Sequence, residues 1–197
     1  MPLNALIIFV KDAVPGKVKT RLAAEIGDEQ ALNIYQRLLL HTLSVTAQLP
    51  TEKYVYYSDM IPAEDIWPDE KYTKRVQSGL DLGERMERAL TEVCAVHPKA
   101  ILIGSDIADL DTEILLESLR SLDFVDVVIG PATDGGYYLI GFRKVHPAVF
   151  RNIQWSTSSV FHDTCMRILD TGLNFKILGQ KSDIDTKSDL IELGWMS

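Results

Sequence analysis

The clearest local charge pattern is a basic segment between residues 11 and 21. Lys11, Lys17, Lys19 and Arg21 stand there with a single acid, Asp12, in a chain whose net charge is −8. A loop that combines cations with free backbone N–H groups can bind phosphate, arginine through two parallel hydrogen bonds and lysine as a point charge. We therefore predict a site for a small phosphate-bearing ligand; the alternative is a solvated basic loop.

The same segment contains a turn, at Pro15 and Gly16, shortly after the apolar run Ala5–Val10. It does not contain the Gly-x-x-x-x-Gly-Lys-Ser/Thr pattern of a Walker A loop. No Gly-x-Gly-x-x-Gly follows the apolar run, which excludes the usual dinucleotide-binding fingerprint. Any phosphate loop here is therefore of neither common type.

Aspartates follow three other apolar runs of strand length. They are Asp106, Asp134, Asp183 and Asp185. The carboxyl ends of parallel strands open onto one crevice. We therefore expect Lys19, Arg21, Asp106 and Asp134 to line the same crevice. Carboxylate oxygens suit Mg²⁺ or Mn²⁺, which commonly binds one or two carboxylates together with substrate phosphates, so the sequence predicts a metal site at Asp106.

Each of these carboxylates also has a purely structural interpretation. Asp106 or Asp109 can cap the helix that follows, and Asp185 can cap the final helix. Asp134-Gly135-Gly136 is a strong hairpin-turn signal, although its glycines would also let a ligand approach the backbone closely. Alternation along Asp183-Ile184-Asp185 predicts that one carboxylate points toward the site and the other away.

The elements that position these residues alternate between short apolar runs and longer amphipathic ones. Predicted strands are Ala5–Val10, Tyr54–Tyr57, Arg75–Gln77, Ala100–Gly104, Val125–Gly130, Tyr137–Phe142 and Phe175–Leu178. Predicted helices are Glu29–Leu49, Leu82–Val96, Glu113–Leu122 with Asp111 as N-cap, Val160–Leu169 and Thr186–Leu193. This alternation predicts an α/β fold: a three-layer, Rossmann-like, mostly parallel sheet with helices on both faces. With no linker or internal repeat, residues 1–197 are expected to form a single domain.

Charge and composition exclude several classes of protein. Hydrophobic residues make up 46% of the chain and charged residues 24%, which is typical of a globular protein and not of a disordered one. Because a net charge of −8 repels a polyanion, we expect no nucleic-acid partner. The apolar run Leu3–Val10 is too short to span a membrane and lacks the features of a signal peptide. We therefore expect a cytoplasmic protein with no membrane association.

Cysteine and histidine usage argues against other kinds of site. Cys94 and Cys165 are too few for a disulfide framework or a cysteine zinc site, and both are expected to be reduced and mostly buried. The four histidines are scattered, and none pairs at a metal-ligand spacing. No Gly-x-Ser-x-Gly is present, so the sequence indicates no covalent nucleophile.

Six blocks, spread over nearly the whole chain, combine these motifs in one order. They are Phe9–Leu22, Gln77–Met86, Gly104–Leu110, Gly130–Gly141, Trp155–Thr157 and Asp183–Thr186. Together they resemble the bacterial DUF2064 family of proposed glycosyltransferases, in the nucleotide-diphospho-sugar transferase superfamily with the GT-A fold. That superfamily also includes the molybdenum-cofactor and phospholactate guanylyltransferases. The chain departs from the usual pattern at Ala108, where relatives have proline after the metal aspartate, and in the Pro-Gly-Lys form of its first loop.

The resemblance implies a role for each candidate residue. Donor phosphates would be held by the first loop through Lys19 and Arg21, and the wider set of cofactor-binding residues would be Lys11, Gly16, Lys19, Arg21, Gly135 and Gly136. Asp106 would bind the divalent ion, Mg²⁺ or Mn²⁺, with Asp185 as a further metal ligand. Asp134 and Asp185 would hold the acceptor, the sugar or a metal-bound water, so the catalytic set is Asp106, Asp134 and Asp185.

Three functions remain compatible with this resemblance. The first is a glycosyltransferase that uses a nucleotide-sugar donor and a small-molecule acceptor. The second is a nucleotidyltransferase that releases pyrophosphate from a nucleoside triphosphate, and the third is a catalytically weak nucleotide-binding protein. Because Gly130–Gly141 offers one acid and no base, and Trp155 could pack on a sugar face, the residues favour a neutral, hydroxyl-rich group and thus sugar transfer.

Overall fold

Seven strands form one sheet in the computed structural model, which describes residues 3–195. The strands are β1 (Ala5–Val10), β2 (Glu52–Tyr57), β3 (Thr73–Val76), β4 (Ala100–Ile103), β5 (Val127–Pro131), β6 (Tyr137–Phe142) and β7 (Phe175–Ile177). Their order across the sheet is β3-β2-β1-β4-β6-β5-β7. Strand β6 runs antiparallel to β4 and β5, and the other adjacent pairs are parallel. The prediction of a mostly parallel sheet is confirmed.

Helices cover both faces of this sheet. They are α1 (Thr20–Ile26), α2 (Asp28–Thr46), α3 (Leu82–Cys94), α4 (Thr112–Ser121), α5 (Val160–Asp170) and α6 (Lys187–Glu192), with a 3-10 helix at Pro147–Phe150. Side chains of a strand alternate between its two faces. Accordingly, Leu6 of β1 packs in one core with Tyr35 of α2 and Leu115 of α4. Its neighbour Ile7 packs in the opposite core with Leu90 of α3 and Ile168 of α5. The predicted three layers are confirmed.

A third apolar cluster joins the basic segment to the C-terminal end of the described chain. Leu22 of α1, Leu38 of α2, and Ile184 and Leu190 around α6 are all fully buried in it. Burying side chains of this size contributes about 1.5–3 kcal/mol each relative to leaving them exposed. The cluster therefore fixes residues from both ends of the sequence at the same edge of the sheet.

Most predicted elements are present with their ends shifted by a few residues. Helix α2 ends at Thr46 rather than Leu49, and β3 is Thr73–Val76 rather than Arg75–Gln77. The sequence pattern does not delimit α1 or the 3-10 helix, because so few turns give no clear periodicity. Asp111 caps α4 as predicted, since its carboxylate accepts a hydrogen bond from the Ile114 N–H at 2.8 Å.

Two negative expectations concern the membrane and the cysteines. Among residues 3–195, no helix is long and apolar enough to cross a membrane. Cys94 and Cys165 are both free thiols, and each is half-buried. Burial raises the pKa of each thiol to about 11, so both stay protonated and unreactive at neutral pH.

Candidate active site

A cavity of about 540 Å³ opens at the carboxyl-terminal edge of the parallel strands. Lys11 reaches it from the loop after β1, Arg21 from the first turn of α1, and Asp106 from the loop after β4. Asp134 reaches it from the turn between β5 and β6, and Asp185 from the segment after β7. These segments therefore meet at one crevice, as expected.

A second, smaller cavity of about 230 Å³ adjoins the first. Its wall includes Phe9, Ser58, Gln77, Arg85 and Ser105. The two cavities share four residues, which we call the junction: Lys11, Leu82, Gly104 and Asp106. A ligand that spans both cavities would pass the Lys11 ammonium and the Asp106 carboxylate.

Lys19 lies beside the cavity and does not line it. Its ammonium donates to Asp106 Oδ2 at 2.9 Å and to Asp185 Oδ1 at 3.1 Å, and its side chain is 4% exposed. Burial alone would lower the pKa of Lys19, but the two carboxylates outweigh burial and raise it above the ordinary value. The expectation that Lys19 lines the crevice is wrong, because its charge is already used by these two acids.

Arg21 has the opposite environment. Its side chain is 68% exposed, lines the cavity and reaches Asp185 Oδ2 at 3.3 Å. Such an exposed pair is weak and leaves the guanidinium available to a ligand. Of Lys19 and Arg21, only Arg21 is therefore presented to the cavity, where Lys11 of the same segment also lies.

The carboxylates that line the cavity differ in how well their charge is balanced. Lys19, with its hydrogen bond, outweighs burial and holds the pKa of Asp106 below its usual range. For Asp183, burial, and then the like charges of Asp185, Asp134 and Asp106, outweigh the opposing charge of Lys19 and raise its pKa to about 6. Negative charge therefore exceeds positive charge around Asp183.

Neither Asp106 nor Asp185 caps a helix. The cap of α4 is Asp111, and the cap of α6 is Thr186, which forms a capping box with Asp189. The structural alternatives for Asp106 and Asp185 are thus wrong, and both carboxylates are available to the cavity.

The alternation expected along residues 183–185 is also wrong. Asp183 and Asp185 both line the cavity, whereas Ile184 between them is fully buried against α1 and α2. These residues belong to no strand apart from a single antiparallel bridge between Ile107 and Asp183, so strand periodicity does not apply to them.

The turn between β5 and β6 is a hairpin and also a wall of the cavity. Asp134 Oδ1 accepts the Gly136 N–H at 2.8 Å, and both residues line the cavity. Gly135 has φ +91°, and a Cβ there would lie 2.2 Å from the carbonyl oxygen of Ser158. Its lack of a side chain is therefore needed for packing against the protein's own backbone, not for the approach of a ligand as expected.

An apolar wall faces the carboxylates. It is made by Leu82 and Met86 of α3, Tyr137 of β6 and Trp155. Trp155 and Tyr137 meet edge to face, with ring centroids 6.5 Å apart. Trp155 packs directly on the first turn of α3, since a Cβ on Gly83 would lie 2.3 Å from its ring. The cavity thus has one acidic side and one aromatic side.

A family model described as an uncharacterized protein conserved in bacteria (DUF2064) matches residues 42–157, more than half of the chain. A crystal structure from Desulfovibrio desulfuricans G20, provisionally assigned as a nucleotide-diphospho-sugar transferase, is 34% identical to the chain. It aligns over 94% of this chain and 84% of its own, with a TM-score of 0.85. The chain belongs to the DUF2064 family.

More distant structures share the fold of this DUF2064 protein. The 4-diphosphocytidyl-2C-methyl-D-erythritol synthase of Anaerococcus prevotii is 13% identical, with 98% of this chain and 97% of that chain aligned and a TM-score of 0.60. Rv0371c of Mycobacterium tuberculosis, solved as a complex with manganese, is 13% identical over the same shares, with a TM-score of 0.57. No curated protein sequence matches the chain. The fold is that of nucleotide-diphospho-sugar transferases, and the neighbours include nucleotidyltransferases.

The DUF2064 protein has a donor set that fits a divalent cation. Asp106 offers one carboxylate oxygen that no side chain among residues 3–195 bonds, and around Asp183 negative charge exceeds positive charge. Within the same range, no three His, Cys, Asp or Glu side chains are grouped as a metal site. Few protein ligands are usual where Mg²⁺ or Mn²⁺ shares its coordination with substrate phosphates.

Sequence reasoning missed three residues that shape this site. The first is Asp183: strand alternation predicted that only one of Asp183 and Asp185 faces the site, whereas both line the cavity. Tyr35 looked like a core residue at helical spacing, yet its hydroxyl bonds the backbone of Lys11 at 2.8 Å and contacts Ser105 at 3.2 Å. It therefore ties the end of β1 to the end of β4.

Gln77 lies in one of the sequence motifs, but the sequence assigned it no role. In the structure its side-chain amide donates to the carbonyls of Val10 and Tyr56. The predicted Gly16 lies outside both cavities, on an exposed turn with φ +75°.

Proposed function

We propose that this protein is a glycosyltransferase that uses a nucleotide-sugar donor and a divalent metal ion. The observation that carries the proposal is the junction, where Lys11 and Asp106 lie between a small cavity and a larger one. A nucleotide-sugar has the same order of parts: a nucleoside, a diphosphate and a sugar. We further infer that residues 1–197 act as one domain built on the single sheet.

The smaller cavity suits the nucleoside. Phe9 and Leu82 supply apolar surface, and Gln77, Ser58 and Arg85 supply polar groups at its wall. Ligand sites of this kind combine a mostly apolar lining with a few polar groups that fix orientation. The nucleoside would then direct its phosphates toward Lys11.

The junction suits the diphosphate. Lys11 and Arg21 would neutralise the phosphates, and Asp106 would hold the metal ion, with Asp185 beside it. A divalent ion there supplies charge stabilisation for the departing nucleoside diphosphate. No covalent nucleophile of the protein is required.

The larger cavity suits the sugar and the acceptor. Trp155 offers an aromatic surface for the C–H face of a sugar ring, and Asp134 and Asp183 can accept hydrogen bonds from its hydroxyls. Apart from Lys11 and Arg21, none of the described residues that line this cavity is a cation. An acceptor with its own phosphate or carboxylate would meet repulsion on that side, so a neutral acceptor fits better.

Nucleotidyl transfer is the second candidate function, and the reaction products distinguish it from sugar transfer. The protein is incubated with Mg²⁺ or Mn²⁺ and a panel of nucleotide-sugars and nucleoside triphosphates, and nucleoside diphosphate and pyrophosphate are quantified. Slow metal-dependent release of nucleoside diphosphate from a nucleotide-sugar, with water as acceptor, is the expected result. Pyrophosphate release from a triphosphate, with no turnover of any nucleotide-sugar, would contradict the proposal. Binding of nucleotides without any turnover would support a binding protein instead.

A further inference from the structure

The ammonium group of Lys19 lies between two carboxylates that come from distant parts of the chain. Asp106 is 87 positions away in sequence and Asp185 is 166 positions away. Both carboxylates accept hydrogen bonds, and two like charges beside one group repel each other unless a cation offsets the repulsion. Lys19 is the cation that both carboxylates touch.

We propose that Lys19 is a positioning residue, which holds Asp106 and Asp185 at the edge of the cavity and does not contact the donor. This inference rests on the proposed function, because it concerns the groups that would hold the metal and the diphosphate. It differs from the role implied by the family resemblance, in which Lys19 binds donor phosphates.

Burial separates Lys19 from the other basic residues of its loop. Lys11 and Arg21 line the cavity, whereas Lys19 does not and its side chain is 4% exposed. To reach a phosphate, its ammonium would have to leave two carboxylates at 2.9 and 3.1 Å. Because the Lys19 side chain is buried while the two carboxylates are about a third exposed, moving its ammonium away from them would break two short charge-assisted bonds, which is unfavourable.

The backbone of Lys19 supports the same role. Its φ of 48° and ψ of 46° place it in the left-handed region, which a residue with a long side chain rarely adopts. Such a conformation persists only where surrounding contacts hold it. Its carbonyl also accepts the Ala23 N–H at 2.7 Å at the start of α1. The loop is therefore shaped around an inward-pointing Lys19.

The geometry leaves different oxygens free on the two acids. Asp185 uses Oδ1 for Lys19 and Oδ2 for Arg21, so both of its oxygens are oriented. Asp106 uses Oδ2 for Lys19 and keeps the other oxygen free of side-chain partners among residues 3–195. Without Lys19, we expect the two carboxylates to turn away from each other, and Asp185 to leave its place beside Asp106.

The first test is Mn²⁺ binding by the ligand-free protein, measured by calorimetry. In the wild type, Asp185→Asn should weaken Mn²⁺ binding about tenfold. Lys19→Met should also weaken it, and adding Asp185→Asn to Lys19→Met should change it less than about twofold. Additive effects, or Lys19→Met binding Mn²⁺ as tightly as the wild type, would overturn the proposal. Lys17→Met, in the same loop but exposed to solvent, is the matched control and should change nothing.

The second test does not depend on the reaction. Crystal structures of ligand-free wild type and Lys19→Met should show the Asp106 and Asp185 carboxylates farther apart in the variant, and an unchanged separation would overturn the proposal. If Lys19→Met does not fold, Lys19→Gln, which keeps one donor group, takes its place in both tests. A wild type that neither binds Mn²⁺ nor turns over a nucleotide-sugar would defeat the proposed function, while the crystal structures would still decide the role of Lys19.

Discussion

The charged groups around the cavity fall into two regions that differ in how their charge is balanced. In the first, which we call the paired region, Asp106 and Asp185 are bonded by Lys19 and Arg21. In the second, the unpaired region, no basic side chain among residues 3–195 bonds Asp134 or Asp183, and the pKa of Asp183 is raised to about 6. Both regions lie on one cavity and are built on the same sheet.

The difference indicates what each region does before and after a ligand binds. The paired region carries its own cation, so its geometry is set by the protein alone. The unpaired region holds Asp183, whose negative charge is unfavourable until a positive or hydrogen-bonding group arrives. An enzyme that fixes its phosphate and metal groups in advance, and leaves its hydroxyl-binding groups open, would have this distribution of charge.

The largest expected effect comes from the paired region. Asp106→Asn should lower metal-dependent turnover of a nucleotide-sugar about a hundred-fold, because it removes an anionic metal ligand at the point where charge develops. The rate is measured at saturating donor, at a temperature where circular dichroism shows the variant folded. Asp109→Asn, three residues later in the same loop and outside the cavity lining, should keep the wild-type rate. Equal losses in both variants would show that the loop, and not the Asp106 carboxylate, is what matters.

Substitution in the unpaired region should instead raise the free energy of unfolding. At neutral pH the folded protein bears the cost of ionising Asp183, and Asp183→Asn removes that cost. A folded-state pKa of about 6 against an ordinary 3.8 corresponds to about 3 kcal/mol, which partial solvent access reduces to about 1–2 kcal/mol. We therefore expect the variant to unfold at higher denaturant concentration at pH 8.

The pH dependence of that gain follows from the direction of the shift. Because the folded-state pKa is raised, Asp183 is protonated in both folded and unfolded chains below pH 3.8, and the variant then has no advantage. The advantage should grow as pH rises through about 6 and then level off. Asp59→Asn, at a solvent-exposed position, is the control and should show no such trend. A gain that is constant with pH would mean that Asp183 is not crowded by like charge.

The aromatic wall opposite these carboxylates gives a smaller effect. Gly83→Ala places a Cβ 2.3 Å from the Trp155 ring, so the ring must move. We expect kcat/KM for the nucleotide-sugar to fall about tenfold, equivalent to about 1.4 kcal/mol. Tryptophan fluorescence should shift at the same time. Gly179→Ala, where a Cβ has open space around it among the described residues, should alter neither quantity. Unchanged kcat/KM with a shifted spectrum would remove Trp155 from the sugar site.

The smallest effect on stability should come from Arg21, which belongs to the paired region but is exposed. Arg21→Gln should change the free energy of unfolding by less than about 0.5 kcal/mol, since exposed ion pairs contribute little. The KM for the donor should nevertheless rise about fivefold, because the guanidinium faces the cavity. Lys17→Gln serves as the control for loss of one positive charge from the loop. A large loss of stability in Arg21→Gln would show that Arg21 is a structural partner of Asp185 in the way Lys19 is.

The sequence predicted the sheet better than it predicted the site. Runs such as Ala5–Val10 and Tyr137–Phe142 are apolar throughout and bounded by turns, so local pattern alone locates them. The family resemblance rested on motifs at strand ends, and such motifs do not depend on tertiary detail. Fold class and family could therefore be obtained without coordinates.

The failures share one cause, which is that the role of a side chain depends on distant partners. Nothing near Lys19 in sequence shows that Asp106 and Asp185 surround it. The position of Asp183 follows from the burial of Ile184 in a core formed by α1, α2 and α6, and strand alternation gives the wrong answer there. Gly135 is needed because Ser158 packs against it, which no turn rule contains.

The central claim is that a metal ion and a donor diphosphate meet at the junction of the two cavities. Anomalous diffraction from crystals soaked with Mn²⁺ and a nucleotide-sugar that the protein turns over tests it most directly. The account predicts one strong manganese peak at the Asp106 carboxylate, in contact with the diphosphate, with Lys11 and Arg21 on the phosphate oxygens. A manganese peak away from Asp106, or a diphosphate bound outside the junction, would contradict it.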